Sequence, residues 1–331
     1  MCSECMHHVW SKRIYNRRRN MDINKICNDI LCKFNSIYLD SVITPSMAAE
    51  AVPQRAKWVH KGSCGSLLIC GGSTGLTGAP CLSAMSALRC GVGLVTVACP
   101  SDLNAIFETK LTEAMTLPLE CKDGAIAFGA RDDIFGKMKK SSALLIGPGL
   151  SQTDDIKRLV CDIIENSEIP LILDADALNV ISDTPGILAK AKGHCIITPH
   201  IGEFARLSSL TTEEIIEDRV NLAQRFAADY GVITVLKSHS TVVATPDGRV
   251  YTNILGNSGM ATGGTGDVLA GCIASFVSQG KDLVTSALAG VYFHSFAGDI
   301  AKEITGEYSL IAGDIIKYLG YAIKATQENF I

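Results

Sequence analysis

The glycine-rich stretch at residues 256–271 constrains the fold of this chain more than any other segment, because six of its sixteen residues are glycine. Asp267 follows the glycines, and the apolar residues after it recur at helical spacing, which predicts a buried helix with Asp267 in its first turn. The N–H groups of residues 263–266, with the free amides of the helix start, would form a concave site for an anion. A carboxylate beside such a site suits phosphoryl transfer onto a hydroxyl, although Asp is also a common helix cap.

The length allows one large α/β domain or two ordinary ones, and the absence of a repeat or linker between two halves favours one. Of the 331 residues, 47% are hydrophobic and 19% are charged, which is enough apolar material for a sizeable core. A formal net charge of −4 argues against a nucleic-acid surface, and no apolar run approaches the length of a membrane span. The 13 cysteines are scattered through apolar segments, which favours reduced thiols in the cytoplasm over a disulfide framework. The one metal-like spacing, Cys2 and Cys5 followed by His7 and His8, lacks a second pair, so no metal site is predicted.

Residues 1–40 differ in character from the rest of the chain. Residues 12–19 carry a basic patch without the apolar core of a secretory signal, which predicts an N-terminal extension of unknown role. An organelle-targeting presequence is the alternative. Isoleucines at helical spacing predict a helix within residues 22–39. The main domain is expected to span residues 41–331.

From about residue 60, a pattern of strand, glycine loop and helix repeats along the chain. This alternation predicts an α/β fold with a central, mostly parallel sheet flanked by helices on both faces. In the helix predicted at 212–230, Ile216, Val220 and Phe226 are expected to share the buried face. The predicted strands lie at 66–70, 94–98, 143–146, 171–173, 195–198 and 232–236, followed by a hairpin over 241–253. The other predicted helices lie at 79–90, 153–165, 266–279, 283–303 and 313–325.

Glycine or polar motifs directly follow five of these strands. Ligands on open parallel sheets bind beyond the carboxyl ends of the strands, and packing alone does not require polar residues there. Their repeated placement at one edge therefore predicts an enzyme. The motifs lie at residues 71–78, 147–149, 174–176 and 198–200 and at Lys237.

Each polar residue of this edge has a functional and a structural interpretation. Lys237 would be a cation near phosphates or an ordinary solvated lysine at a strand end. Asp174 and Asp176 would orient a ligand or Mg²⁺, or else Asp176 would cap the next helix. His200 would contact a substrate or serve the structure, and Glu203 is interpreted as a first-turn helix carboxylate. The residues alone leave these alternatives open.

Six motifs occur in order along the chain and together carry a resemblance to a known family. They are residues 60–62 (His-Lys-Gly), 71–79 (Gly-Gly-Ser-Thr-Gly-Leu-Thr-Gly-Ala), 147–150 (Gly-Pro-Gly-Leu), 174–179 (Asp-Ala-Asp-Ala-Leu-Asn), 198–203 (Thr-Pro-His-Ile-Gly-Glu) and 257–267 (Asn-Ser-Gly-Met-Ala-Thr-Gly-Gly-Thr-Gly-Asp). Over about residues 41–328 the chain resembles the NAD(P)H-hydrate dehydratases, repair enzymes with a ribokinase-like fold. The resemblance implies use of a nucleotide's terminal phosphate to dehydrate the 6-hydroxy form of NADH or NADPH.

The resemblance also implies a role for each residue that matches a family motif. Asp267 would be the catalytic base that activates the C6 hydroxyl of the hydrate. The hydrate-binding residues would be Ala79, Gly149, His200 and Asp267. The nucleotide-binding residues would be Lys237, Ser238, His239, Ser240, Thr241 and Gly266, and the anion hole would consist of Gly264, Thr265 and Gly266.

The co-substrate and the assembly are implied in the same way. The Gly-Gly-Thr-Gly-Asp form at 263–267 resembles the bacterial, ADP-dependent members, whereas animal-type enzymes tend to use ATP, and Mg²⁺ is the expected cofactor. A homo-oligomer, with a tetramer as one form, fits the family. Some forty N-terminal residues are too few for the epimerase domain of many bacterial relatives, so epimerase activity is not expected. Ser238 and His239 depart from the family pattern, in which a glycine commonly follows the lysine.

Two other functions remain open from the sequence. A small-molecule kinase of the same fold, such as a vitamin-precursor kinase, would share the Gly-Thr-Gly-Asp element at 264–267. A nucleotide-sensing protein without catalysis would keep the binding motifs, although the intact Asp267 argues against a decayed site. A stable phosphorylated product would identify the kinase, and tight nucleotide binding without turnover would identify the sensor.

Overall fold

A nine-stranded sheet lies at the centre of the computed structural model, which describes residues 22–36, 41–191 and 193–331. Numbered along the chain, the strands are β1 (Ser66–Cys70), β2 (Leu94–Pro100), β3 (Met115–Leu119), β4 (Cys121–Lys122), β5 (Ala125–Ile126), β6 (Ala143–Ile146), β7 (Leu171–Leu173), β8 (Cys195–Ile197), β9 (Ile233–Leu236), β10 (Val242–Ala244) and β11 (Val250–Thr252). Their order in the large sheet is β11-β10-β9-β8-β7-β6-β1-β2-β3, while β4 and β5 form a separate pair. Within the large sheet, the seven strands β9, β8, β7, β6, β1, β2 and β3 pair in parallel with their neighbours. Strand β10 pairs antiparallel with β9 and β11.

Helices cover both faces of this sheet. They are α1 (Ile23–Leu31), α2 (Pro45–Ala49), α3 (Gly78–Arg89), α4 (Asn104–Lys110), α5 (Arg131–Met138), α6 (Asp154–Asn166), α7 (Asp176–Val180), α8 (Ile201–Ser208), α9 (Thr212–Tyr230), α10 (Thr265–Ser278), α11 (Leu283–Thr305) and α12 (Ala312–Phe330). Successive strand residues point to opposite faces, so Leu67 and Ile69 join the core under α3, α10 and α11. Leu68 and Cys70 join the second core, which α5 to α9 cover. The predicted α/β fold with a mostly parallel, doubly covered sheet is therefore confirmed.

The described part of the N-terminal segment packs onto the main core. The side chain of Asp22 accepts a hydrogen bond from the backbone N–H of Asn24 (3.0 Å) and so caps α1. Ile30 is buried in the same core cluster as α11, which confirms the helix predicted in this region. The basic patch at 12–19 and the cysteine–histidine spacing at 2–8 lie outside the described residues.

The buried face predicted for α9 is wrong in its first half. The helix has a kink at Asp218, whose φ of −133° and ψ of 37° are not helical. Ile216 is 55% exposed and Val220 is 40% exposed, whereas Ile215 and Phe226 are buried. A kink shifts the phase of the apolar pattern, so the buried face of the second half begins at Ala223, and the first half buries Ile215 in place of Ile216.

The segment between β2 and β6 contains elements that no sequence pattern predicted. They are β3, the β4–β5 pair, α4 and α5. Short elements with few apolar residues show no clear period, and their positions depend on packing against the edge of the sheet.

The composition led to two expectations, that the cysteines are reduced and packed in the core and that no segment spans a membrane. Eight of the eleven described cysteines are buried and all eleven are free, as expected for core-packed thiols. Among the described helices, none combines the length and the apolar character that a membrane crossing requires.

Candidate active site

The motifs predicted at one edge of the sheet do lie together. Strands β9, β8, β7, β6 and β1 are consecutive neighbours and run in the same direction, so their carboxyl ends share one edge. Each of the five motifs follows one of these strands. The start of α10 also reaches this edge, because the ammonium of Lys237 lies against Gly266: a Cβ added there would be 3.4 Å from its Nζ.

The backbone cradle is formed where α10 begins at Thr265. Gly264 precedes the helix with a φ of +92°, a backbone conformation that residues other than glycine rarely adopt. A Cβ at Gly264 would also approach Cδ1 of Leu82 to 2.5 Å. The Thr265 hydroxyl donates hydrogen bonds to the carbonyl oxygens of Met260 and Thr262, both at 3.0 Å, and so ties the preceding loop to the helix. The free first-turn amides of a 14-residue helix remain available for an anion.

Lys237 is a partly buried, paired cation, so its interpretation as a solvated lysine is wrong. Its Nζ donates to Asp174 Oδ1 at 2.8 Å and lies 3.8 Å from Glu203 Oε2, with only 17% of the side chain exposed. Burial by itself would lower the pKa of the ammonium, but Asp174 and Glu203 outweigh it, so the pKa is raised. The lysine therefore stays charged beside the cradle.

Asp174 and Asp176 have different structural tasks. Asp174 is 1% exposed, and its Oδ1 accepts hydrogen bonds from the Thr198 hydroxyl (2.6 Å) and from Lys237. It therefore positions Lys237. Asp176 accepts hydrogen bonds from the backbone N–H of Ser151 and from Gln152 Nε2, both at 2.9 Å. Because α7 has no side-chain cap, Asp176 supports the loop after β6 and does not act as a helix cap.

Glu203 contributes more than the sequence interpretation assigned to it. It is 5% exposed, accepts a hydrogen bond from the His200 backbone N–H at 2.8 Å, and approaches Lys237. Burial raises the pKa of this carboxyl, with Lys237 opposing the shift and Asp174 adding to it. Its spacing three residues after His200, at a helix start that follows a strand, was the available signal in the sequence. Its contact with a lysine 34 positions later in the chain was not visible there.

The sequence left open whether His200 contacts a substrate or serves the structure. In the structure it caps a helix and also leaves part of its ring exposed. Its Nδ1 accepts hydrogen bonds from the backbone N–H groups of Gly202 (2.9 Å) and Glu203 (3.3 Å), which caps α8. The remaining hydrogen of the neutral ring is then on Nε2, and 55% of the side chain is exposed. Burial, Lys237 and Arg206 lower the pKa, so the ring is a neutral donor at pH 7.

Asp267 is the third residue of α10 and is half-buried. Burial, and after it the negative charge of Asp174, raises the pKa of its carboxyl to about 7, and Lys237 opposes the shift. Its backbone carbonyl accepts a hydrogen bond from the Ser83 hydroxyl at 2.9 Å, which ties the first turn of α10 to α3. A carboxyl with this pKa at a helix start is suited to accept a proton near neutral pH.

The loops after β1 and β6 hold Ala79 and Gly149 at the same edge. The Ser73 hydroxyl donates to the carbonyl oxygen of Gly149 at 2.9 Å, and the Gly72 N–H donates to that of Pro148 at 2.9 Å. Gly149 is buried, and Ala79 is half-buried in the first turn of α3. Ser83 of the same helix α3 contacts the first turn of α10, so α3 packs against the turn that carries Asp267.

A cavity of about 520 Å³ opens beside Lys237 and the start of α10. Of the residues predicted to bind nucleotide, Ser240 is the one that does not line it. The Ser240 hydroxyl donates to the carbonyl oxygen of Asn253 instead (2.9 Å). The Ser238 hydroxyl donates to the Ser240 carbonyl (2.9 Å), so the serine that replaces the usual glycine stabilises the turn. The lining residues of the cavity are Lys237, Ser238, His239, Thr241, Asn253, Leu255, Gly256, Asn257, Ser258, Met260, Ala261, Thr265, Gly266, Leu269, Val291, His294 and Ser295.

These features define the class of protein. The sheet order, the glycine cradle and the carboxylate at a helix start are those of a ribokinase-like fold. A ribokinase-like superfamily protein of Enterococcus faecalis superposes with a TM-score of 0.74. The match covers 88% of this chain and 99% of that one at 27% identity.

The family follows from the sequence comparisons. Residues 67–320 match the family model described as NAD(P)H-hydrate dehydratase. The ADP-dependent (S)-NAD(P)H-hydrate dehydratase of Neisseria meningitidis is 36% identical over 79% of this chain and 86% of its own length. The chain therefore belongs to the NAD(P)H-hydrate dehydratase family.

Two further similarities bear on the scope of this family membership. The ADP/ATP-dependent NAD(P)H-hydrate dehydratase of Bacillus subtilis, co-crystallised with ATP and Mg²⁺, has a TM-score of 0.73 at 27% identity. That match covers 87% of this chain and 100% of the other. Four bifunctional NAD(P)H-hydrate repair enzymes are 36–40% identical, and the chain covers 52–54% of them. The chain thus spans about half the length of the bifunctional relatives that it matches.

Proposed function

We propose that the chain dehydrates the 6-hydroxy hydrate of NADH and NADPH at the expense of ADP, and so restores the reduced dinucleotide. The observation that carries this proposal is Asp267, a half-buried carboxylate with a pKa of about 7 at the helix start beside Lys237 and Gly266. The names of the Neisseria and Bacillus relatives support the same activity.

In the first step, Asp267 acts as the base for the C6 hydroxyl. A carboxylate with a pKa near 7 is a stronger base than an ordinary aspartate and is still partly ionised at neutral pH. It takes the hydroxyl proton while the hydroxyl oxygen attacks the terminal phosphorus of ADP. The bond from that phosphorus to the bridging oxygen breaks, and AMP leaves with the electron pair. The amides of residues 264–266 and the ammonium of Lys237 stabilise the charge on the transferred group.

In the second step, phosphate leaves from C6. The C6–O bond of the ester breaks with its electron pair going to the phosphate, C5 gives a proton to the departing phosphate, and the C5–H electron pair forms the double bond between C5 and C6. The phosphate carries away the oxygen of the former hydroxyl, so hydrate and ADP become NADH or NADPH, AMP and phosphate. Ala79, Gly149 and His200 hold the hydrate, with the exposed ring of His200 as a neutral hydrogen-bond donor.

The residues at the edge fit Mg²⁺ that is held mainly by the nucleotide. In phosphoryl-transfer sites, Mg²⁺ binds one or two carboxylates together with substrate phosphates and water. Over residues 22–36, 41–191 and 193–331 no group of three His, Cys, Asp or Glu is arranged to hold a metal by itself. Glu203 and the free oxygen of Asp174 would be the protein ligands. Asp174, Glu203 and Asp267 surround one ammonium, so a divalent cation would offset the repulsion of an anionic nucleotide.

ADP is the proposed donor in preference to ATP. The name of the Neisseria relative and the Gly-Gly-Thr-Gly-Asp form at 263–267 support ADP, while the Bacillus relative is described as ADP/ATP-dependent. We also propose that the protein is a cytoplasmic homo-oligomer. Its buried free thiols suit a reducing compartment. Residues 41–331 would form the dehydratase domain, and 1–40 an extension.

A repair assay tests the proposal directly. Purified protein with Mg²⁺ is incubated with NADH hydrate and ADP, ATP or no nucleotide, and the near-ultraviolet absorbance of NADH is followed. We expect recovery with ADP, with AMP and phosphate formed in equal amounts. No recovery with either nucleotide contradicts the proposal, and a stable phosphorylated product identifies a small-molecule kinase instead.

A further inference from the structure

One polar group in the cavity beside Lys237 has no counterpart in the mechanism above. His294 lies on α11 and lines the cavity together with Ser238 and Thr241. It is 7% exposed, and its Nε2 has no hydrogen-bond partner. Buried polar groups are almost always paired, so an unpaired nitrogen in a cavity wall indicates a partner that arrives from outside the protein.

The two asparagine side chains that line the cavity are paired within the protein. The amide nitrogen of Asn253 donates to the carbonyl oxygen of Leu255 (2.8 Å) and to the Ser295 hydroxyl (2.9 Å). The amide nitrogen of Asn257 donates to Gly298 and Asp299, at 3.0 and 2.9 Å. Among the lining residues, all of which belong to the described chain, His294 supplies the one buried side-chain nitrogen or oxygen without a partner.

The ring of His294 remains neutral, and this charge state determines which part of a nucleotide it can bind. Burial lowers its pKa to about 4, with the backbone of Thr265 opposing the shift and Lys237 adding to it. A neutral imidazole is not a phosphate-binding cation, and Lys237 and the amides near Gly266 already occupy the phosphate end. The lining also includes apolar side chains, which suit a purine ring. They are those of Leu255, Met260, Ala261, Leu269 and Val291.

We propose that His294 is a specificity residue for the nucleoside part of the nucleotide, and that its Nε2 hydrogen-bonds to the bound base or ribose. The inference rests on the proposed function for the class of ligand, an adenine nucleotide. It adds a residue from α11 to a site that the sequence motifs assign only to the loop after β9 and the start of α10. Thr265 and Gly266 line the same cavity, so the proposed nucleoside pocket adjoins the turn that carries Asp267.

Binding of ADP and of pyrophosphate to the full chain separates the nucleoside from the phosphates. The dissociation constants are measured by calorimetry for the wild type, His294→Leu and His294→Asn, with His194→Asn as a control at an exposed histidine. Loss of one hydrogen bond is worth about 1 kcal/mol, so we expect His294→Leu to weaken ADP binding about fivefold. Pyrophosphate binding should stay within twofold, and His294→Asn should recover part of the loss. Equal weakening of both ligands, or of neither, overturns the inference.

Two additional measurements keep the result interpretable. Leucine replaces an unpaired buried polar group, so the Tm of His294→Leu should equal or exceed that of the wild type. In wild-type protein with ¹⁵N-labelled histidine, ADP should shift the imidazole signal of His294 and pyrophosphate should not. An unmoved signal contradicts the inference even if the variant fails to fold.

The outcomes also separate this inference from the proposed function. Hydrate repair by the wild type, combined with unchanged ADP binding in His294→Leu, contradicts the inference alone. ADP binding that depends on His294, without turnover of the hydrate, contradicts the proposed function alone.

Discussion

Two histidines cap helices at opposite ends of the sheet. Comparing them shows that the residues around a cap determine whether it belongs to a functional site. His60 caps the short helix Lys61–Cys64 before β1: its Nδ1 accepts from the Ser63 N–H, and its own N–H donates to the Ser63 hydroxyl, both at 3.3 Å. His200 caps α8 beyond β8 with the same reciprocal arrangement, in which Glu203 takes the place of Ser63.

The difference lies in what surrounds each cap. His60 is exposed at the amino end of the sheet, in a motif that belongs to the family resemblance. At the carboxyl end, Glu203 is buried against Lys237, which in turn pairs with Asp174. The same capping arrangement therefore only stabilises a helix at the amino end, whereas at the carboxyl end it belongs to a charged site. The position of the cap in the fold, and not the cap itself, decides whether the residue has a chemical role.

The largest expected difference between the two ends concerns Asp267. Asp267→Asn removes the base and should lower kcat/KM for the hydrate by about a thousandfold, within the usual range for general-base catalysis. ADP binding, measured by calorimetry, should change little. Asp314→Asn is the matched control, because Asp314 is also the third residue of a helix, α12, and only caps it (3.1 Å to the Ile311 N–H). Full activity of Asp267→Asn would exclude the assigned base.

The pH dependence of the two ends should also differ. With a pKa of about 7, Asp267 becomes protonated below pH 7, so kcat/KM of the free enzyme should fall about tenfold per pH unit. At pH 5 the loss would be about a hundredfold. A profile that is flat from pH 5 to pH 8 would show that no carboxyl with this pKa takes part in the rate-limiting step.

Stability should respond to pH with the opposite sign. The folded-state pKa of Asp267 lies above the ordinary value of 3.8, so its contribution to stability is complete below pH 4 and is lost as pH rises through 7. The Tm of Asp267→Asn should therefore match the wild type at pH 4 and exceed it at pH 8. Equal Tm values at pH 8 would mean that the ionised carboxylate costs nothing in the folded state.

A smaller effect is expected for Lys237, whose charge serves both binding and stability. Lys237→Met should weaken ADP binding by about thirtyfold, since a charge-assisted contact is worth roughly 2 kcal/mol. It should also lower the Tm, because Asp174 is left buried without its cation. Adding Asp174→Asn should restore most of the Tm and none of the ADP affinity. Recovery of affinity in the double variant would show that Lys237 does not contact the nucleotide.

The smallest effects are expected from the two capping histidines themselves. His60→Ala and His200→Ala should each lose about 1 kcal/mol of stability, the usual cost of a lost cap. Only His200→Ala should raise the KM for the hydrate, by about tenfold, because only this ring faces the site. An equal change of KM in both variants would indicate that the caps act through stability alone.

The sequence by itself determined the class of fold and most of its elements. Apolar runs such as 143–146 and 171–173 are buried on both faces, and such runs between helices specify a parallel sheet. The pattern also placed Asp267 in the first turn of a buried helix, because helical periodicity and glycine signals are local properties. The kink at Asp218 and the short elements between β2 and β6 were not predictable, since packing and not local periodicity determines them.

Only the tertiary structure decided how the polar residues of the site divide their tasks. The contacts among Lys237, Asp174 and Glu203 join three strand ends, and the pKa of Asp267 depends on the burial and charges that they create. His294 is one more residue of an apolar helix in the sequence, and its unpaired nitrogen has meaning only beside the cavity. Local patterns specify elements, whereas burial and charge pairing depend on residues distant along the chain.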